Sequence, residues 1–133
     1  MLRFDVLTLF PGMFAPVLAH SMLKRGQDKG LLTVKVHNLR DFTADRHKVV
    51  DDMPYGGGAG MVMKAEPILL AVAAIRDEAQ ASGEDIRMMF PTPHGRPFTQ
   101  DYAQQLAGEC RRIVILCGHY EGVDERVRMT VAP

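Results

Sequence analysis

The chain has 133 residues, of which 47% are hydrophobic, which is enough for the core of one ordinary domain. Sixteen basic residues balance sixteen acidic ones, so net charge excludes a strongly basic nucleic-acid-binding protein, and any RNA would have to meet a local patch. Cys110 and Cys117 have neither CxxC spacing nor clustered histidines, which argues against zinc and a disulfide framework.

The first third of the chain predicts a strand, a helix and a second strand. Leu2 to Leu9 is largely apolar and stops at Pro11-Gly12, as a buried strand does before a turn. Apolar residues at three- and four-residue spacing predict one helix from Met13 to Lys24, ended by Gly26 and Gly30. Alternation from Leu32 to His37 predicts a half-buried strand.

From Arg40 to Lys64 neither period is sustained, and long loops inside compact domains are usually functional or disordered. This stretch holds four glycines in five positions, 56, 57, 58 and 60, which is costly unless the backbone needs the freedom. It is either a loop that lets a ligand come close or a flexible tether. Arg40, Arg46, His47 and Lys48, just before it, and Arg96, beside the later turn at Pro91 to Gly95, indicate either a grip on a nucleic-acid backbone or a solvated loop.

The remaining chain alternates helices and apolar strands. Glu66-Pro67 predicts the start of a helix that ends at Ser82-Gly83. Thr99 is a candidate cap for a second helix. Apolar strands are predicted at Ile86 to Phe90 and Ile113 to Cys117. The predicted buried face of the first helix comprises Ile68, Leu69, Val72, Ala73 and Ile75. Together these elements predict an α/β fold with a mainly parallel sheet flanked by helices.

Two strand ends carry unusual residues, and ligands bind beyond the carboxyl ends of such strands. The turn from Pro91 to Gly95 is either ordinary or part of a binding site. The turn from Gly118 to Gly122 combines close backbone approach with a stacking Tyr120 and an accepting Glu121, while Asp124 to Arg126 fit the start of a solvated helix. No P-loop, GxGxxG or GxSxG motif occurs.

Four stretches together resemble the bacterial tRNA (guanine-N(1)-)-methyltransferases of the SPOUT class: LTLFPGMF at 7 to 14, RDFTADRHKVVDDMPYGGGAGMVM at 40 to 63, PTPHGRPF at 91 to 98 and CGHYEGVDERV at 117 to 127. The resemblance implies a trefoil-knotted methyltransferase domain over residues 1 to 133. It also implies that a homodimer transfers a methyl group from S-adenosylmethionine to N1 of the guanine immediately 3′ of the tRNA anticodon.

The resemblance also implies roles for individual residues. It assigns the cofactor to Pro91, Thr92, Pro93, Gly118, Tyr120, Glu121 and Gly122. It assigns tRNA and the target base to Arg46, His47, Asp51, Tyr55, Gly56, Gly57 and Gly58. Glu121 is the candidate catalytic residue, no metal ligand is assigned, and a contribution from magnesium stays open.

The chain departs from the family pattern in two turns and in length. His119 stands where an arginine is usual, and the turn from Pro91 to His94 differs from the common serine-proline-glutamine. Family members continue past Pro133 into the last knot segment and a helical domain with the general-base aspartate, so we expect a truncated domain here. A catalytically silent RNA- or nucleotide-binding α/β module is the alternative. We expect a cytoplasmic protein without a membrane span.

Overall fold

The computed structural model describes residues 1–43, 50–52, 62–93, 95–118 and 126–127. Within these ranges the elements in chain order are β1 (Leu2–Thr8), α1 (Ala15–Leu18), α2 (Ser21–Asp28), β2 (Leu32–Asn38), β3 (Asp51–Asp52), β4 (Val62–Met63), α3 (Ala65–Ala81), β5 (Ile86–Met89), α4 (Gln100–Glu109) and β6 (Arg112–Leu116). Short 3₁₀ helices cover Pro11–Met13 and Leu39–Phe42. The predicted order of the four longer strands and of α3 and α4 is confirmed.

Four of these strands form one sheet in the order β2-β1-β6-β5, and each neighbouring pair is parallel. In the register, Phe4 of β1 lies beside Val34 of β2 and Ile113 of β6. The centre of the sheet therefore joins β1 to β6, which lie far apart in the sequence. Helices make the crossovers between the parallel strands. This arrangement confirms the predicted parallel α/β sheet, while the knot stays a prediction.

Helix α3 buries one face against the sheet and forms the main core. Ile68, Val72 and Ile75 are at most 2% exposed and belong to one cluster with Leu7 and Leu116. Burying side chains of this size stabilises the fold by roughly 1.5–3 kcal/mol each. These contacts hold β1 and β6 beneath the helix.

The predicted buried face of α3 was wrong at one position. Ala73 is exposed, whereas Ala71 is fully buried. At about 100° per residue, Ala73 is turned roughly 140° from Ile68, while Ala71 is only about 60° away. The narrow apolar stripe therefore excludes Ala73 although alanine itself would fit a core.

The single helix predicted from Met13 to Lys24 is also wrong, because α1 and α2 are separate. His20 has extended backbone angles, and Ser21 has a φ of 55°, which a continuous helix does not allow. The Gln27 side-chain amide donates to the Leu18 carbonyl oxygen at 2.9 Å and holds the two helices together. None of the residues of α1 and α2 is buried, so their apolar spacing does not mark a core stripe.

Gly26 lies inside α2 and does not end it, which corrects a second detail of that prediction. A Cβ at Gly26 would lie 2.6 Å from a methyl carbon of Leu32, so glycine permits the close approach of α2 to β2. Gly30, with a φ of 69°, does follow the helix end as predicted.

The end of α3 and the start of α4 lie at the predicted signals. Ser82 caps the end of α3, and Gly83 follows it with a φ of 70°. The Thr99 hydroxyl accepts a hydrogen bond from the Tyr102 amide at 3.1 Å, which satisfies one of the free donors at the start of α4.

Candidate functional site

The turns that follow β5 and β6 leave the same edge of the sheet side by side. Met89 pairs with Ile115 in a parallel ladder, and the turns begin two residues after Met89 and three residues after Ile115. The Cys117 amide donates to the Leu7 carbonyl oxygen at 2.9 Å, which continues the ladder to β1. The Gly95 amide donates to the Thr92 carbonyl oxygen at 3.2 Å and closes the other turn. Pro91, Thr92, Pro93 and Gly118 therefore follow neighbouring strands at the same edge of the sheet, and their assignment to the cofactor stays a prediction.

This edge offers exposed backbone and neutral side chains. Pro91, Pro93 and Gly118 are exposed, and Thr92 is partly buried. The two prolines have no backbone N–H donor, so their backbone offers only carbonyl acceptors. Burial raises the pKa of the half-buried Cys117 thiol above its ordinary value, so it stays protonated at neutral pH. Backbone donors and acceptors beside apolar surface fit a nucleoside-containing ligand.

The glycine-containing stretch begins and ends in a short antiparallel hairpin that the sequence did not predict. Asp51 pairs with Met63 and Asp52 with Val62. The Lys64 amide donates to the Val50 carbonyl oxygen at 2.7 Å, and Val50 and Met63 are buried in the core cluster. Both ends of the segment are thus anchored, which disagrees with a free tether at these ends.

Most of the other predicted site residues lie outside the described residues. They are Arg46, His47, Tyr55, Gly56, Gly57, Gly58, Tyr120, Glu121 and Gly122, together with His94 and His119. Asp51 is placed by its backbone pairing in β3. These assignments stay predictions.

A buried charged cluster was missed by the sequence analysis. The Arg112 guanidinium donates to the Asp5 carboxylate at 2.7 Å, and His37 Nε2 lies 2.8 Å from the other Asp5 oxygen. Burial alone would raise the pKa of Asp5, but the hydrogen bonds with His37 and Arg112 outweigh it and lower the pKa from 3.8 to about 2. Asp5 pairs in register with Val114, before the carboxyl edge, so the cluster holds strands together and does not face the turns.

The opposite end of the sheet carries a shallow depression of about 580 Å³. Its lining includes Arg76, Gln80 and Glu84, near the start of β5. It lies away from both turns and has no counterpart among the predicted site residues.

An arginine is stacked on an aromatic ring beyond β5; the sequence indicates Arg96 as a candidate nucleic-acid contact but does not predict its aromatic partners. Arg96 Cζ lies 3.9 Å from the centroid of the Tyr102 ring, and the Phe98 ring packs edge-on against the same ring. The PTPHGRPF motif contained both Arg96 and Phe98, but only the fold shows that α4 brings Tyr102 beneath them.

Among the described residues, no group of three or more His, Cys, Asp or Glu side chains is arranged to hold a metal ion. A search of the same residues found no helix with the length and apolar character needed to cross a membrane.

Comparison with known proteins decides the family. A family model described as tRNA (Guanine-1)-methyltransferase TrmD matches residues 2–132. The chain belongs to this family. The match covers all four stretches on which the sequence resemblance was based, and it includes both turns at the edge of the sheet.

Named relatives of the TrmD family are similar over nearly the whole chain. The tRNA (guanine-N(1)-)-methyltransferase of Geotalea uraniireducens is 54% identical over 127 residues, covering 96% of this chain and 49% of the relative. That of Chloroflexus aggregans is 50% identical, covering 96% and 48%. The chain thus spans about half the length of the curated relatives it matches.

The crystal structure of the tRNA (m1G37) methyltransferase from Aquifex aeolicus has a TM-score of 0.82 to this structure at 37% identity. The match covers 96% of this chain and 56% of the Aquifex chain. The predicted fold class, a SPOUT-type methyltransferase fold, is therefore confirmed.

Proposed function

We propose that the protein containing this chain transfers a methyl group from S-adenosylmethionine to N1 of guanine 37 of tRNA, immediately 3′ of the anticodon. The carrying observation is that the 91–93 turn and Gly118 lie side by side at the carboxyl edge of the sheet in a member of this family. Relatives bear the name tRNA (guanine-N(1)-)-methyltransferase, and the Aquifex protein is a tRNA (m1G37) methyltransferase.

The two turns would hold the cofactor, which supplies an activated methyl group on a sulfonium. Backbone groups of Pro91, Thr92, Pro93 and Gly118 would fix its orientation, and Tyr120, Glu121 and Gly122 would continue the same wall. Because displacement at a methyl group needs the acceptor nitrogen in line, positioning supplies much of the rate enhancement. A protonated Cys117 thiol does not compete with guanine for the methyl group.

The glycine-containing segment would cover the target base. Its ends are fixed by β3 and β4, so Asp51, Tyr55 and Gly56 to Gly58 are candidates for base contact, with Arg46 and His47 on the tRNA backbone. Glu121 is the proposed catalytic residue within the chain. Methyl transfer measured with and without EDTA tests whether the reaction requires magnesium.

Self-association is supported by exposed apolar side chains in the 3₁₀ helix Pro11–Met13 and in α1 and α2. Met13 is 69%, Val17 60% and Met22 70% exposed, although apolar side chains of this size are usually buried when they lie together. We infer a homodimer that uses this surface, acting in the cytoplasm, where the proposed tRNA substrate is processed.

Methyl transfer to defined tRNA transcripts tests the function. The purified natural protein at full length is incubated with radiolabelled S-adenosylmethionine and a transcript carrying guanine 37, and with a control transcript carrying adenine 37. We expect label only in the first transcript. A folded protein that binds both cofactor and tRNA but transfers no methyl group would support the silent binding module instead.

Replacing Gly118 tests the cofactor assignment. The Gly118→Val side chain should obstruct the turn and weaken S-adenosylmethionine binding by at least about tenfold, while tRNA affinity stays within about twofold. Calorimetry and filter binding measure the two affinities. Gly108→Val, in open space on α4, is the matched control. Equal loss of both affinities in Gly118→Val would show that the turn is structural.

A further inference from the structure

Arg96, Phe98 and Tyr102 form an arginine-aromatic cluster at the start of α4. Arg96 Cζ lies 3.9 Å from the Tyr102 ring centroid, within the range of a cation-π contact. The Phe98 and Tyr102 centroids are 5.6 Å apart, with an angle of 77° between the ring planes. This edge-to-face geometry orders the Phe98 ring relative to Tyr102.

The start and the packing of α4 depend on other residues than Arg96 and Phe98, so they do not explain why these two side chains are exposed. Thr99 caps the helix, and Leu106 provides its fully buried contact. Phe98 is 61% exposed and Arg96 is also exposed, so the apolar ring and the cation both face solvent. An exposed aromatic side chain beside an arginine is a typical platform for an unpaired nucleic-acid base.

The cluster lies next to the proposed cofactor turn. Arg96 and Phe98 follow the 91–93 turn within five residues, and the hydrogen bond from Gly95 to Thr92 folds the connection back on itself. Pro97 stiffens the segment between the two side chains. A tRNA loop that delivers a base to the carboxyl edge of β5 would bring its neighbouring nucleotides to this surface.

We propose that this cluster stacks an unpaired tRNA nucleotide that directly flanks the target guanine. The inference rests on the proposed methyl transfer and adds a substrate-binding site to it. Asp101 lies in the same first turn of α4, and Glu109, further along the helix, accepts from Arg87. Because carboxylates accompany the arginine, the surface suits the uncharged face of a base better than a phosphate.

Substitutions that separate stacking from charge test the proposal in the natural full-length protein. Phe98→Ala should weaken binding of a tRNA anticodon stem-loop by about 5- to 100-fold, since base stacking on an aromatic ring is lost. Phe98→Tyr should restore most of the affinity. Arg96→Lys should lose affinity despite keeping the charge, because an ammonium has no planar face. Arg76→Ala, an exposed arginine at the opposite end of the sheet, should leave affinity unchanged.

Fluorescence of labelled stem-loops tests which neighbour of the target guanine stacks on the cluster. Stem-loops with 2-aminopurine at either neighbour of the target guanine should show quenching at one position on binding, lost in Phe98→Ala and kept in Phe98→Tyr. Affinity for S-adenosylmethionine and sedimentation of each variant are measured in parallel.

Each outcome has a distinct meaning. Wild-type affinity and quenching in a folded Phe98→Ala variant would overturn the stacking site while leaving methyl transfer intact. A change confined to cofactor affinity, or loss of the dimer, would overturn it in favour of a cofactor or protein contact. If the wild-type protein methylates no tRNA, the proposed function itself fails.

Discussion

At the scale of single residues, Asp5 and Arg112 are the most consequential pair in the described structure. Both side chains are 0% exposed, and the guanidinium also lies 3.4 Å from Glu84 and 3.6 Å from Glu78. Charges withdrawn from water are tolerated only when they are paired and hydrogen-bonded. The pair joins the first strand of the chain to the last described one, so it fixes the centre of the sheet.

Arg112→Met is expected to destabilise the protein by about 3–5 kcal/mol, because Asp5 would be left buried without its guanidinium partner. The double variant Asp5→Leu with Arg112→Met should recover much of that loss. Urea unfolding measures the free energies. Arg87→Met is the matched control: its pair with Glu109 is more than 40% exposed on both sides, so its loss should cost under about 1 kcal/mol. Equal costs for both arginines would contradict this account of burial.

At the scale of elements, glycine is expected to stabilise the protein at Gly83 and to destabilise it at Gly108. Gly83 follows α3 with a φ of 70°, whereas Gly108 lies within α4, and a Cβ would meet nothing within 4 Å at either position. Space therefore does not distinguish them, and backbone conformation does. The left-handed angle at Gly83 strains any residue with a Cβ, while helical angles favour alanine over glycine.

Gly83→Ala should therefore lower the free energy of unfolding by about 1 kcal/mol, and Gly108→Ala should raise it by about 0.5–1 kcal/mol. Thermal and urea unfolding of the two single variants measure the signs. Two changes of the same sign would show that packing, not backbone angle, controls these sites.

At the scale of the whole molecule, one set of apolar residues forms the buried core and another set is exposed on the surface. The core cluster includes the buried face of α3, while Met13 in the first 3₁₀ helix, Val17 in α1 and Met22 in α2 are exposed. The short helices are tied to each other through Gln27, so their apolar side chains are presented on an ordered surface. A second copy of the chain would remove this surface from water.

The double variant Val17→Lys with Met22→Lys should therefore convert a dimer into a monomer with unchanged circular dichroism, since charges at an apolar interface are costly to bury. Sedimentation of the full-length protein measures the mass. Leu70→Lys, on α3 and 45% exposed, is the control and should remain dimeric. A dimer that survives the double change would place the interface elsewhere.

The sequence by itself determined the four strands of the main sheet, α3 with its end and α4 with its start, because periodicity, prolines and caps act over a few residues. It also located the turns after β5 and β6 and, through motifs, the family. Only the tertiary structure decided the break at His20 and Ser21, the contact of Gly26 with Leu32 and the pairing of Asp5 with Arg112. The last two join different elements, and Asp5 lies 107 positions from Arg112. The contact of Asp5 with Arg112 arises because parallel strands distant in sequence become neighbours in the sheet, and local sequence pattern carries no record of that pairing.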